Sequence, residues 1–208
     1  KETDSTAVDE ASGYTRASLL LREAITYANE TIHATANSQP QCEGMGTTVV
    51  VMLFYDGRVS IAHVGDSRAY RLREERLEQL TADHSLLQEL VSRGLYTQEE
   101  ANRTLNRNIV TRALGIEPTV EVDLLEELAM PGDIFLMCSD GLNDMVEDDD
   151  IRLTLESFGA NLDDVSTRLV DAANEQGGRD NVSVITVRVV EPFQGQRKWL
   201  SRIKDLLS

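Results

Sequence analysis

The stretch VVVMLFYDGRVSIAHV (49–64) holds two apolar, β-branched runs separated only by Asp56-Gly57. A two-residue Asp-Gly link suits the tight turns whose backbone twist matches that of paired strands. Strands joined so closely must run antiparallel, because a parallel return needs a crossover of roughly a dozen residues. The pattern recurs along the chain. "RAYRL" (68–72) and "RLEQL" (76–80) flank Arg73-Glu74-Glu75, and Pro131-Gly132 separates "TVEVDLL" (119–125) from "DIFLMC" (133–138). A last β-branched run, "VSVITVRVV" (182–190), predicts a buried closing strand.

Helical spacing falls in other places. Leu20, Leu21, Ala24, Ile25, Ala28 and Ile32 predict one amphipathic helix from about Thr15 to Ala36. Leu86, Leu87, Leu90 and Val91 predict a second that ends at Gly94, and Thr97-Gln98-Glu99-Glu100 has the form of a capping box for a short third. Two more helices are expected near 148–157 and 162–175, whereas polar, aperiodic residues 1–13 read as a loop. Strands in runs, with helices clustered apart from them, predict an α+β fold built on antiparallel sheets. One domain over 1–190 is expected, followed by a basic amphipathic tail, 191–208. That tail reads as a terminal helix, with a juxtamembrane or linker stub as the other readings.

Charge narrows the function. Thirty-six acidic against 20 basic residues give a formal charge of −16, which repels a nucleic-acid backbone and favours divalent cations. Two cysteines, Cys42 and Cys138, exclude a disulfide framework and point to a reducing, cytoplasmic setting. Cys138, inside an apolar run, is expected to be a buried thiol. No apolar stretch approaches the ~20 residues of a membrane span, and the first residues do not form a signal peptide. The chain starts at Lys1 rather than Met, so a preceding portion is expected.

The aspartates carry the chemistry. "FLMC" (135–138) runs into Ser139-Asp140-Gly141, "IAHV" (61–64) into Gly65-Asp66-Ser67, and Arg179-Asp180-Asn181 sits at the start of the last strand. Each taken alone is a turn or a ligand position. Three carboxylates held close together repel one another, and Mg²⁺ or Mn²⁺, which take oxygen ligands, relieve that repulsion. Asp144, about one turn beyond Asp140, offers a fourth carboxylate. "DGLNDMVEDDD" lacks the glycine and oxygen spacing of a calcium loop. Arg68 and Arg179 read as partners in local ion pairs, His63 as a core histidine, and His84 as part of a helix N-terminus.

Six segments occur in order: "GMGTTVVV" (44–51), "AHVGDSRAYRL" (62–72), "LTADHSLLQELVSRG" (80–94), "IVTRALG" (109–115), "GDIFLMCSDGLND" (132–144) and "GGRDNVSVITV" (177–187). Together, over about 15–190, they resemble the bacterial metal-dependent Ser/Thr phosphatases of the protein phosphatase 2C family. The resemblance implies a four-layer α-β-β-α sandwich of two antiparallel sheets flanked by helix pairs, with 83–107 as a small mobile flap. It implies hydrolysis of phosphoserine and phosphothreonine by a hydroxide bridging two Mg²⁺ or Mn²⁺ ions. Asp140 and Asp180 match ligands of that pair; Asp66, with Asp140 and Asp144, matches the holders of a looser third ion. The family's further acidic ligands, an Asp-Gly-Met-Gly-Gly-His motif and a phosphate-binding Arg belong to an N-terminal portion and are not among these 208 residues. The implied partners are phosphorylated proteins, Ser/Thr kinases or their substrates, met by a monomer. The other reading is a pseudophosphatase, a binding or regulatory module without turnover.

Overall fold

The computed structural model describes residues 4–97, 100–101 and 109–193. The chain divides into two compact units, both assembled from separated segments: 1–64 with 113–130 and 191–208, and 65–112 with 131–190. Each unit holds one antiparallel sheet and its own helices, so the α+β expectation is met.

In the first unit, α1 (Arg16–Ser38) lies beside a three-stranded sheet in the order β1 (Val49–Tyr55), β2 (Arg58–Val64), β5 (Asp123–Leu128). Asp56 (φ 44°) and Gly57 (φ 69°) take the left-handed conformations that a tight hairpin requires, pairing Tyr55 with Arg58. β2 is the central strand, and every residue after Arg58 is buried, so its alternation carries no polar face. Leu21 and Ile25 of α1 pack with Ala62, Val64 and Leu114. Thr15 caps the helix, its hydroxyl accepting from Ser18 N–H at 3.4 Å. Glu126 of β5 reinforces that start by accepting from the Thr15 N–H and hydroxyl, both at 2.7 Å, and from the Ser18 hydroxyl.

The predicted strand over 119–125 is displaced to Asp123–Leu128. β2 ends at Val64, where Gly65 turns the chain at φ 109°, and the last pairing is His63 with Asp123. Residues 119–122 therefore run past the end of the ladder, although Val120 and Val122 still pack on the α1 cluster.

In the second unit the strand order is β4 (Arg76–Gln79), β3 (Arg68–Arg73), β6 (Ile134–Cys138), β7 (Val184–Arg188). The helices are α2 (Leu86–Ser92), α3 (Asp140–Asn143), α4 (Asp148–Phe158) and α5 (Leu162–Glu175). Tyr70, Leu136, Leu142, Ile151, Leu155 and Leu169 form the centre of the core. β7 is shorter than 182–190 and is an edge strand rather than a buried one, with Ile185 57% exposed. Its length follows β6: the ladder runs from Cys138–Val184 to Ile134–Arg188 and stops where β6 gives way to a turn at either end.

Ser85 caps α2 by accepting from Gln88 N–H at 3.2 Å, and Gly94 (φ 70°) follows its end. The capping box forms as read: Thr97 N–H and hydroxyl donate to Glu100 Oε2 (2.9 and 2.8 Å), and Glu100 N–H donates to the Thr97 hydroxyl (3.3 Å). Part of the 83–107 flap expectation falls on 98–99 and 102–107, and most of the tail on 194–208. Both stretches lie outside the described residues.

Candidate metal-binding site

Strand register gathers the aspartates. Arg68 pairs with Cys138, and Cys138 pairs with Val184, so these three form one row across β3, β6 and β7. Asp66 lies two residues before that row on its strand, Asp140 two residues after it, and Asp180 four residues before it. Antiparallel pairing sends all three to the same end of a single sheet. Asp140 opens α3, and the Asp144 N–H donates to the Asp140 carbonyl at 2.9 Å, placing Asp144 one turn on.

Asp66, Asp140 and Asp144 line one cavity of about 360 Å³, whose wall also includes Ser85 and Gln88 at the start of α2. Asp66 is only 9% exposed. Its own burial, then the charges of Asp140, Asp83 and Asp144, hold its carboxyl above the usual carboxylate range. Arg68, in the same cavity, is already engaged. Its Nε and Nη2 donate to Asp83 at 2.7–3.1 Å, and its Nη1 donates to the Tyr70 hydroxyl at 3.0 Å. Tyr70 in turn donates to Asp148 Oδ1 at 3.1 Å. Neutralised in this way, Arg68 leaves the cavity acidic. A set of hard carboxylate oxygens, with a buried member disfavoured in its charged form, fits a divalent cation of the Mg²⁺ or Mn²⁺ type.

Asp180 stands apart from this cavity. It is exposed, its Oδ1 accepts its neighbour Asn181 N–H at 2.7 Å, and it lines a shallower cleft with Arg179, Asn174 and Gly178. The two loops are nevertheless stitched together. Ser139 N–H donates to the Ser183 carbonyl (3.1 Å), Ser139 hydroxyl to the Asn181 carbonyl (3.1 Å), and Ser183 N–H to the Ser139 hydroxyl (3.0 Å).

Arg68 makes the local ion pair expected of it, while Arg179 is exposed. His63 is buried in β2, in keeping with a core histidine. Asp83, Glu147 and Asp148 also line the cavity, though no strand end marks them in the sequence. The acidic run 147–150 reads as solvated surface, and only the packing of α4's first turn brings it to the rim. Cys138 is buried and free, and burial pushes its thiol up to about 12.

Comparison with known proteins identifies the family. The Protein phosphatase 2C family matches residues 4–181, and the chain belongs to that family. It is 40% identical over 167 residues to the serine/threonine phosphatase stp of Listeria monocytogenes, covering 80% of this chain and 66% of that protein. It is 38% identical over 179 residues to the serine/threonine protein phosphatase PstP of Mycobacterium tuberculosis, covering 85% of this chain and 34% of PstP. A solved structure of the PstP catalytic domain in complex with two manganese ions superposes with a TM-score of 0.70 at 39% identity, over 78% of this chain and 67% of that one. Stp1 from Staphylococcus aureus gives a TM-score of 0.79 at 34% identity, over 88% and 70%. The chain thus spans just under two thirds of the Listeria phosphatase and about a third of PstP. No helix among the described residues is long and apolar enough to cross a membrane.

Proposed function

We propose that this chain belongs to the catalytic part of a metal-dependent protein phosphatase acting on phosphoserine and phosphothreonine. The observation that carries the reading is the shared cavity of Asp66, Asp140 and Asp144, in which the buried Asp66 is raised by its own desolvation and by its acidic neighbours. Asp140 and Asp180 would hold a pair of divalent ions, and Asp66, Asp140 and Asp144 a weaker third. Such ions, when bound, supply a water acidic enough to be a nucleophile at neutral pH and neutralise charge on the phosphoryl oxygens.

The chain's own residues do the holding. The Gly141 N–H occupies Asp140 Oδ1 at 2.9 Å and fixes that carboxylate's rotation. Asp83 keeps the Arg68 guanidinium out of competition with a cation. The proposed substrates are phosphorylated proteins, Ser/Thr kinases or their targets, met by a monomer in the cytoplasm.

The test is Mn²⁺-dependent hydrolysis of a phosphothreonine peptide by the full-length protein, compared with its Asp140→Asn variant. Metal-dependent turnover that Asp140→Asn abolishes is expected. Turnover that is indifferent to metal, or to Asp140, overturns the assignment. No turnover at all would favour the binding-module reading.

A further inference from the structure

Asp66 is gripped on both sides by one dipeptide. The His84 N–H donates to the Gly65 carbonyl and the Gly65 N–H donates to His84 Nδ1, both at 3.0 Å, closing a pair around the residue before Asp66. Two residues after Asp66, Arg68 is held by Asp83 through the three contacts of 2.7–3.1 Å already described. His84 is 7% exposed, and Gly65 has φ 109°, a conformation other residues rarely adopt.

The same dipeptide is the root of the 85–110 segment. Thr111 N–H donates to the His84 carbonyl at 2.8 Å, Leu86 N–H donates to the Ile109 carbonyl at 2.9 Å, and Ser85 bridges to Val110. Arg112 Nη1 lies 3.1 Å from His84 Nε2. Hydrogen bonds of this length weaken steeply once geometry departs from their narrow range. A shift of residues 83–84 must therefore carry Gly65 and Arg68 with it, and with them the aspartate between.

We propose that Asp83 and His84 are positioning residues through which the closed base formed by residues 84–86 and 109–112 sets the place of the Asp66 carboxylate. The inference rests on the reading of Asp66 as a metal-holding group. Neither residue would itself hold the ion. Their effect is expected at the Asp66-dependent ion alone, as with hydrogen-bonding partners that orient a ligand.

Two substitutions separate the contacts. His84→Asn keeps an acceptor near the place of Nδ1 and loses Nε2, whereas His84→Gln does the reverse. In the full-length protein, the Gly65 amide exchange rate and calorimetric Mn²⁺ titration are compared with Asp66→Ala. His84→Gln is expected to raise Gly65 exchange and to weaken the Asp66-dependent Mn²⁺ event by about tenfold, while His84→Asn stays near wild type in both.

An unchanged Mn²⁺ titration in His84→Gln despite faster Gly65 exchange would overturn the inference alone. So would equal damage in the two variants, which marks a merely structural histidine. If Asp66→Ala leaves the titration unchanged, the metal reading of Asp66 fails, and the inference falls with it.

Discussion

Gly141 lies flat against the backbone of Asn181. A methyl group on Gly141 would stand closer to the Asn181 carbonyl oxygen than van der Waals contact permits. The obstacle is backbone, which cannot swing aside as a long side chain can. Gly141→Ala should therefore cost about 1–3 kcal/mol of stability as overpacking does, and should displace the 180–181 loop from the Asp140 loop. Urea unfolding measures the first effect and Mn²⁺ affinity the second. A variant as stable and as metal-avid as the parent would show that the two loops are independent.

Loss of Asp140 or Asp180 is expected to differ in kind from loss of Asp66. In the full-length protein, Asp140→Asn and Asp180→Asn should each lower turnover by more than ~100-fold, beyond the usual cost of losing an outer hydrogen-bonding partner. Folding should be little affected, because Asp180 is exposed and Asp140 only half-buried. Asp66→Ala should leave two tightly bound ions and remove a weaker one. Calorimetry counts the ions, and loss of the tight pair in Asp66→Ala would refute the distinction.

Away from the site, Asp133 is 1% exposed and accepts the Arg73 fork at 2.7 Å from both Nε and Nη2. Asp133→Ala removes both of these contacts from a guanidinium whose side chain is 27% exposed. A cost of about 3 kcal/mol is expected, the low end for breaking a buried pair because Arg73 retains some water. Denaturant midpoints at constant slope test it.

Burial pushes the Glu126 carboxyl up, but the bonds from Ser18 and Thr15 outweigh burial and hold it below its ordinary value of 4.5. A carboxyl lowered on folding stabilises the fold only when ionised. Its contribution is complete above 4.5 and fades as pH falls through the lower folded-state value. Glu126→Gln should therefore be less stable at pH 7 and show a shallower loss of stability below pH 4.5. Thermal melts across that range would expose an unaltered slope, which would contradict the assignment.

Much of this was readable in the residues. Asp56-Gly57 announced its hairpin because few pairs accept two successive left-handed conformations, and Thr97 with Glu100 announced a cap because the bonds are local. The turn at Glu74 (φ 49°) and Glu75 (φ 63°) occurs without such a signal, two glutamates taking positions that Asn and Gly usually fill. What the residues could not state was register. The displacement of β5 to Asp123–Leu128 and the edge placement of β7 depend on where β2 and β6 end, which are properties of their partners. The approach of Asp66 to Asp140 follows from the pairing of Arg68 with Cys138, residues 70 positions apart in the chain. His84 looked like an ordinary helix lead-in for the same reason, since its bonds to Gly65 span 19 residues.

The closed base of the 85–110 segment makes it exchangeable. Because Leu86 meets Ile109 and His84 meets Thr111, the ends of the excursion are already joined before any residue between them is chosen. Closing a loop becomes dearer only with the logarithm of its length, each doubling costing about 0.6 kcal/mol. Insertions should therefore be accommodated past α2, beyond the exposed Gly94, without disturbing the sheet. Such a layout lets the rim of the cavity diversify while the joined base, with the hold of Asp83 and His84 on the residues flanking Asp66, is kept.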